Sequence, residues 1–151
     1  MGLKERISED LKAAMKSGDK LRLETLRTVR AALMEKEIER RGAGQPMVSE
    51  DETGVLVTAV KRRRESIEMF QKGGRGDLVD QETRELAIIQ EYLPKQMNEE
   101  EVLKVIEEVI GQTGAAGAAD FGKVMPMVMK QVKGKADGKV VQELVKKRLG
   151  G

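Results

Sequence analysis

Neither cysteine nor histidine occurs in the chain. Their absence removes disulfides, thiol nucleophiles, zinc sites of the usual nitrogen/sulfur kind and imidazole acid–base catalysis. Tryptophan is missing too, and Phe70, Phe121 and Tyr92 are the whole aromatic inventory. Stacking platforms for unpaired nucleic acid need exposed aromatic faces, so an RNA ligand would have to be recognised by shape and phosphate. No apolar run approaches the ~20 residues of a membrane span. The opening MGLKERISEDL scatters charges where a signal peptide has an apolar stretch. A myristoylation signal needs Ser or Thr at the sixth position, where Arg6 stands. These absences set the expectation of a cytoplasmic protein with no membrane partner, no metal and no cofactor.

What the chain does have is charge and helical periodicity. Of 151 residues, 39% are hydrophobic and 36% charged, enough for a packed core under an ionic surface. Because 28 Lys and Arg face 26 Asp and Glu, the net charge is only +2. Any electrostatic footprint must therefore be local.

Apolar residues recur at helical spacing almost throughout, and alternating β-branched runs are absent, which predicts an all-α fold. The first helix reads from Leu3 to Ser17, with Leu3, Ile7, Leu11, Ala14 and Met15 inward and Gly18 as its stop. Asp19 caps a second, Lys20 to Arg41, which presents Leu23, Leu26, Val29 and Leu33. Ser49 with Glu52 reads as a capping box for a third, with Leu56, Val60, Ile67 and Phe70 on its stripe and Gly73-Gly74 at its end. A fourth, Asp77 to Leu93, stops before Pro94. Asn98 with Glu101 then opens a fifth, built on Val102, Leu103, Ile106, Val109 and Ile110. Asp120 is the expected cap of a sixth, with Phe121, Val124, Met125, Val128, Met129 and Val132. A seventh carries Val140, Val141, Leu144, Val145 and Leu149. Pro126 predicts a kink or a late start in the sixth helix. The expected organisation is a four-helix N-terminal part, 1–94, followed by a small three-helix C-terminal domain, 97–151.

Charge is unevenly spread along these pieces. Residues 97–119 carry one Lys against five Glu, whereas residues 120–151 carry eight basic side chains against three acidic ones, a net of plus 5. Within the basic stretch lies Gly134-Lys135-Ala136-Asp137-Gly138-Lys139-Val140. A Walker phosphate loop needs four residues between its glycines, a hydroxyl after the lysine and a strand before it. Here there are three residues, a valine and a helix. The stretch instead reads as a helical hairpin turn, with Gly134 stopping the sixth helix and Asp137 capping the seventh. Lys123 and Lys130 are seven residues apart, as are Lys139 and Lys146, so each pair shares a face away from its apolar stripe. Such a face is more often merely solvated. Lysines held there would meet phosphates through side chains, because the Asp137 cap occupies the amides an anion would take.

A second cluster, Lys61 to Ser66 (KRRRES), spreads around most of a helix, so at least one arginine must lie near the core or pair with a carboxylate such as Glu65 or Glu82. Ser66 has no histidine to activate it. Glu82 and Glu85 form a candidate carboxylate pair, but on amphipathic helices rather than in an evident cleft.

Three segments, RRRESIEMFQKGGRGDL, ELAIIQEYLPKQMNEEE and DFGKVMPMVMKQVKGKADGKVVQELVKKRL, occur in the order seen in the YqeY family, which the chain resembles over nearly its whole length. These are small bacterial proteins similar to the tail domain of the B subunit of the glutamine-dependent aspartyl/glutamyl-tRNA amidotransferase. The resemblance implies four helices followed by three, and a connection to tRNA, since in the amidotransferase the tail contacts tRNA while chemistry happens elsewhere. The family's KGKADG turn falls on Lys133 to Gly138, its arginine–serine motif on Arg64 and Ser66, and its Gly-Lys-Val-Met helix start on Gly122 to Met125; Pro126 departs from the pattern.

The expected function is that of a non-catalytic helical accessory module. It would bind tRNA or another structured RNA through Lys130, Lys133, Lys135 and Lys139, with Lys123 and Lys146 extending the track. A protein-interaction adaptor for a translation or amidotransferase component is the alternative. A carbon–nitrogen ligase using glutamine as amido donor is a further alternative, drawn from the family label.

Overall fold

The structure is a computed structural model and describes residues 2–150; the expected domain limits at residues 1 and 151 lie outside the described residues. Among the described residues the fold is all-α, with seven α-helices: α1 Leu3–Ser17, α2 Lys20–Gly42, α3 Ser49–Lys72, α4 Gly76–Gln90, α5 Glu99–Thr113, α6 Phe121–Val132 and α7 Gly138–Arg148. A 3-10 turn, Ala118–Asp120, leads into α6. The chain forms two compact units, Met1–Leu93 and Pro94–Gly151.

In the first unit, α1 pairs with α2 and α3 with α4, and the pairs meet through α2. Its core is Ile7, Leu11, Leu26, Val29, Leu33, Leu56, Val60, Ile89 and Tyr92. Gly18 ends α1 in the left-handed conformation that costs a glycine little, φ 73°. Buried Thr25 satisfies its hydroxyl by donating to the Leu21 carbonyl at 2.7 Å. Between Lys61 and Ile88 no residue is fully buried, so the outer halves of α3 and α4 pack on each other without a third layer. Ile67 and Phe70, expected on the apolar stripe of the third helix, are consequently only half-buried.

The second unit has a valine-rich core of Val102, Ile106 and Val109 from α5, Val124, Val128 and Val132 from α6, and Val141, Val145 and Leu149 around α7. On α6 and α7 the spacing is i, i+4, i+8, the ridge that packs into a neighbouring helix's groove. Valine is held to one favoured rotamer in a helix, so this core is stiff at χ1, at the cost of side-chain freedom lost on folding.

Several expectations need correction. Met15 and Val140 point outward, each one residue off the buried stripe of its helix. The third helix is capped one residue earlier than expected: Ser49 already lies in the helix, and Asp51 reaches back to the Val48 amide at 3.0 Å. α4 ends at Gln90, three residues before Leu93, in a run of turns. α6 continues through Pro126 and does not start late. Pro126 and Gly122 are both exposed, so the carbonyl that the proline leaves without a donor faces water.

Candidate nucleic-acid interface

α6 ends at Val132, and the chain leaves the helix at Lys133 before turning at Gly134, whose φ of 79° is left-handed. Asp137 then starts α7 by accepting from the Lys139 amide at 3.0 Å. The Asp137 carboxylate thus takes one amide of the α7 terminus and sets a negative charge there, so the lysine side chains of the turn are its anion-binding charges.

All six sequence-predicted lysines are exposed. The hairpin sorts them into two groups. Lys130, Lys133, Lys135 and Lys139 surround the turn, and their ammonium groups engage no acidic side chain among the described residues. Lys123 and Lys146 lie at the other end; seven residues of helix separate Lys123 from Lys130, about 10 Å. Lys146 sits over the Phe121 ring, 5.7 Å from its centroid, which ties the end of α7 to the start of α6.

Neighbouring charges are engaged differently. Arg148 forks onto Glu107 of α5, with the second bond at 3.2 Å, and this guanidinium holds the Glu107 carboxyl below its ordinary range. Asp120 was expected to cap α6, but its side chain makes no cap bond. It accepts from the amides of Ala116 at 2.9 Å and Gly117 at 3.4 Å, closing the turn before the helix. Those two amides hold its pKa low, helped by the charge of Lys123.

Sequence patterning missed the contacts on the inner side of the turn. Gly134 is buried. Gln96 donates from Nε2 to the carbonyls of Gly134 and Pro94, both at 2.9 Å, and the Met97 amide donates to the Lys135 carbonyl at 2.7 Å. The segment 94–97 therefore runs beside the turn. Its only early sign was the YLPKQMN stretch itself, a proline stop followed at once by a cap.

Within the arginine cluster, Arg63 is held by ion pairing. Arg63 Nε lies 3.4 Å from Glu85 and 3.9 Å from Glu82, buried and without the alignment of a hydrogen bond. Burial, then the charge of Glu85, raises the Glu82 pKa against the opposing pull of Arg63. The two carboxylates come together as a pair. Their environment is the seam between α3 and α4, where they neutralise Arg63.

A helical protein with an uncompensated basic turn is the class these features define. The family described as Yqey-like protein matches residues 4–149, and the chain belongs to that family. Among curated proteins it is similar to altered inheritance of mitochondria protein 41, mitochondrial, of several fungi. The Eremothecium gossypii protein is 37% identical over 87 residues, 58% of this chain and 46% of the relative, so the match spans about half of that protein's length. The Pyrenophora tritici-repentis protein is 29% identical over 150 residues, 96% of this chain and 80% of the relative. The Kluyveromyces lactis protein is 31% identical over 140 residues, 89% of this chain and 69% of the relative. These relatives are named as mitochondrial proteins, which overturns the expectation of a cytoplasmic one. That expectation rested on missing features, none of which separates one aqueous compartment from another.

Proposed function

We propose that the protein is a non-catalytic accessory module that binds tRNA or a similarly structured RNA through the α6–α7 hairpin. The observation that carries this is the turn itself: Lys130, Lys133, Lys135 and Lys139 project around it without acidic partners. Four cations close together in a nearly neutral chain are repelled by one another and gain by neutralising phosphates. Few aromatics and an occupied helix terminus favour recognition of a folded backbone by lysine side chains. The expected parts 1–94 and 97–151 act in this proposal as separate domains, the second carrying the RNA.

With no Trp and one Tyr the protein barely absorbs at 280 nm, so bound RNA dominates its ultraviolet spectrum. Chain purified at low salt is expected to carry RNA that sequencing identifies, and the Lys135→Ala, Lys139→Ala double variant is expected to lose it. A clean protein spectrum at low salt contradicts the proposal.

A protein-interaction adaptor is the second reading. Met34 and Ile38, one turn apart on α2, are 46% and 64% exposed, more apolar surface than this unit's core accounts for. It predicts that a translation component retained by the chain is lost on Ile38→Lys. Retention of that component by the variant contradicts it.

A further inference from the structure

The basic turn is built from two stretches of chain, and the second stretch brings a cation of its own. Gln96 places one nitrogen between the carbonyls of Pro94 and Gly134, so these backbones lie within two hydrogen-bond lengths of each other. The Met97 amide fixes Lys135 from the same side. Lys95 stands between Pro94 and Gln96, is exposed, and engages no acidic side chain among the described residues. Its backbone is thereby held beside that of Lys133, Gly134 and Lys135.

Turn conformation depends on the same clamp. Gly134 is buried in a left-handed conformation, and its carbonyl, turned inward, would be left without a partner if Gln96 did not donate to it. The side-chain amide can serve both carbonyls because it carries two hydrogens on one nitrogen. No other side-chain donor to the Gly134 carbonyl is present among the described residues.

We infer that Lys95 is a further phosphate-binding residue of the RNA site and that Gln96 is its positioning residue, fixing Lys95, Lys133 and Lys135 as one cationic surface. This rests on the RNA-binding proposal above. It extends the site beyond the hairpin to residues 94–97 at the start of the second unit, so the site is assembled only when those residues are docked on the turn.

The test is a salt titration of binding to purified bulk tRNA by the full chain, with Lys95→Ala, Gln96→Met and the pair combined. Methionine keeps the length of glutamine and removes the donor. Lys95→Ala is expected to weaken binding about fivefold near 0.1 M salt and to lower the log–log salt slope by roughly 0.7–0.9, the loss of one phosphate contact. Gln96→Met is expected to weaken binding at unchanged helical content. In its background Lys95→Ala should cost less than about twofold, because a lysine already released has little left to lose. If the Lys135→Ala, Lys139→Ala variant loses affinity while Lys95→Ala keeps the unsubstituted affinity and slope, Lys95 is outside the site and the inference is overturned alone. Additive effects of Lys95→Ala and Gln96→Met overturn the positioning role. No salt-dependent binding by the unsubstituted chain overturns this inference and the proposal beneath it together.

Discussion

At the scale of single residues, Tyr92 shows how a nearly aromatic-free chain uses its one tyrosine. The ring is buried in the first core, its hydroxyl donates to Asp10, and Arg6 lies over its face at 5.2 Å. Arg22 beside it pairs with Glu91 at 2.8 Å. Burial first, then the hydrogen bond and charge of Asp10, raise the Tyr92 pKa well above its ordinary value, against a smaller opposing effect of Arg22. Folding therefore favours the protonated phenol. Its contribution is complete below the unfolded tyrosine value of about 10 and is lost as pH rises beyond it. Tyr92→Phe is expected to destabilise the chain by about 1–2 kcal/mol at pH 7 by removing a hydrogen bond to a carboxylate. Denaturant melts should show the difference shrinking above pH 10 or so, since the variant has no phenol to ionise. A difference that stays constant into strong alkali would show that the phenol does not sense folding.

At the scale of elements, the hydrophobic period was legible where a helix has neighbours on its apolar side. Val124, Val128 and Val132 were read correctly because α6 lies against both α5 and α7. Ile67 and Phe70 were read onto the apolar stripe of the third helix and are only half-buried, because the outer parts of α3 and α4 have only each other. Period reveals a face; it does not reveal whether anything covers it. Caps were legible to within one residue where the side chain bonds locally, as at Asn98 and Asp137. Asp120 escaped because its carboxylate turned toward the preceding loop. Pro126 belongs to this scale as well. Replacing it with alanine restores a donor for the Gly122 carbonyl on an exposed face, so Pro126→Ala is expected to stabilise the chain by about 1–2 kcal/mol in thermal unfolding. Destabilisation instead would mean that the ring makes contacts the helix needs.

At the scale of the molecule, charge is segregated more sharply than the net of +2 shows. The lysines of the turn were legible as residues, and their lack of acidic partners emerged only from the folded chain. Gln96 and Lys95 were not legible, since nothing in their types or spacing pointed 38 residues ahead to Gly134. Their contacts also predict where the second unit begins. A fragment 94–151 should be more stable in denaturant melts than a fragment 97–151, by about 1–2 kcal/mol, because only the longer one keeps the Gln96 bonds. Equal stability would show that the segment does not support the turn.

The central claim is that the unpartnered lysines of the α6–α7 turn hold RNA phosphates. It is tested most directly by the salt dependence of tRNA binding, measured on the unsubstituted chain and on Lys135→Ala, Lys139→Ala. The account predicts a linear fall of log affinity with log salt, flattened by roughly 1.4–1.8 in slope when the two lysines are removed. Unchanged affinity and slope in the double variant would contradict it.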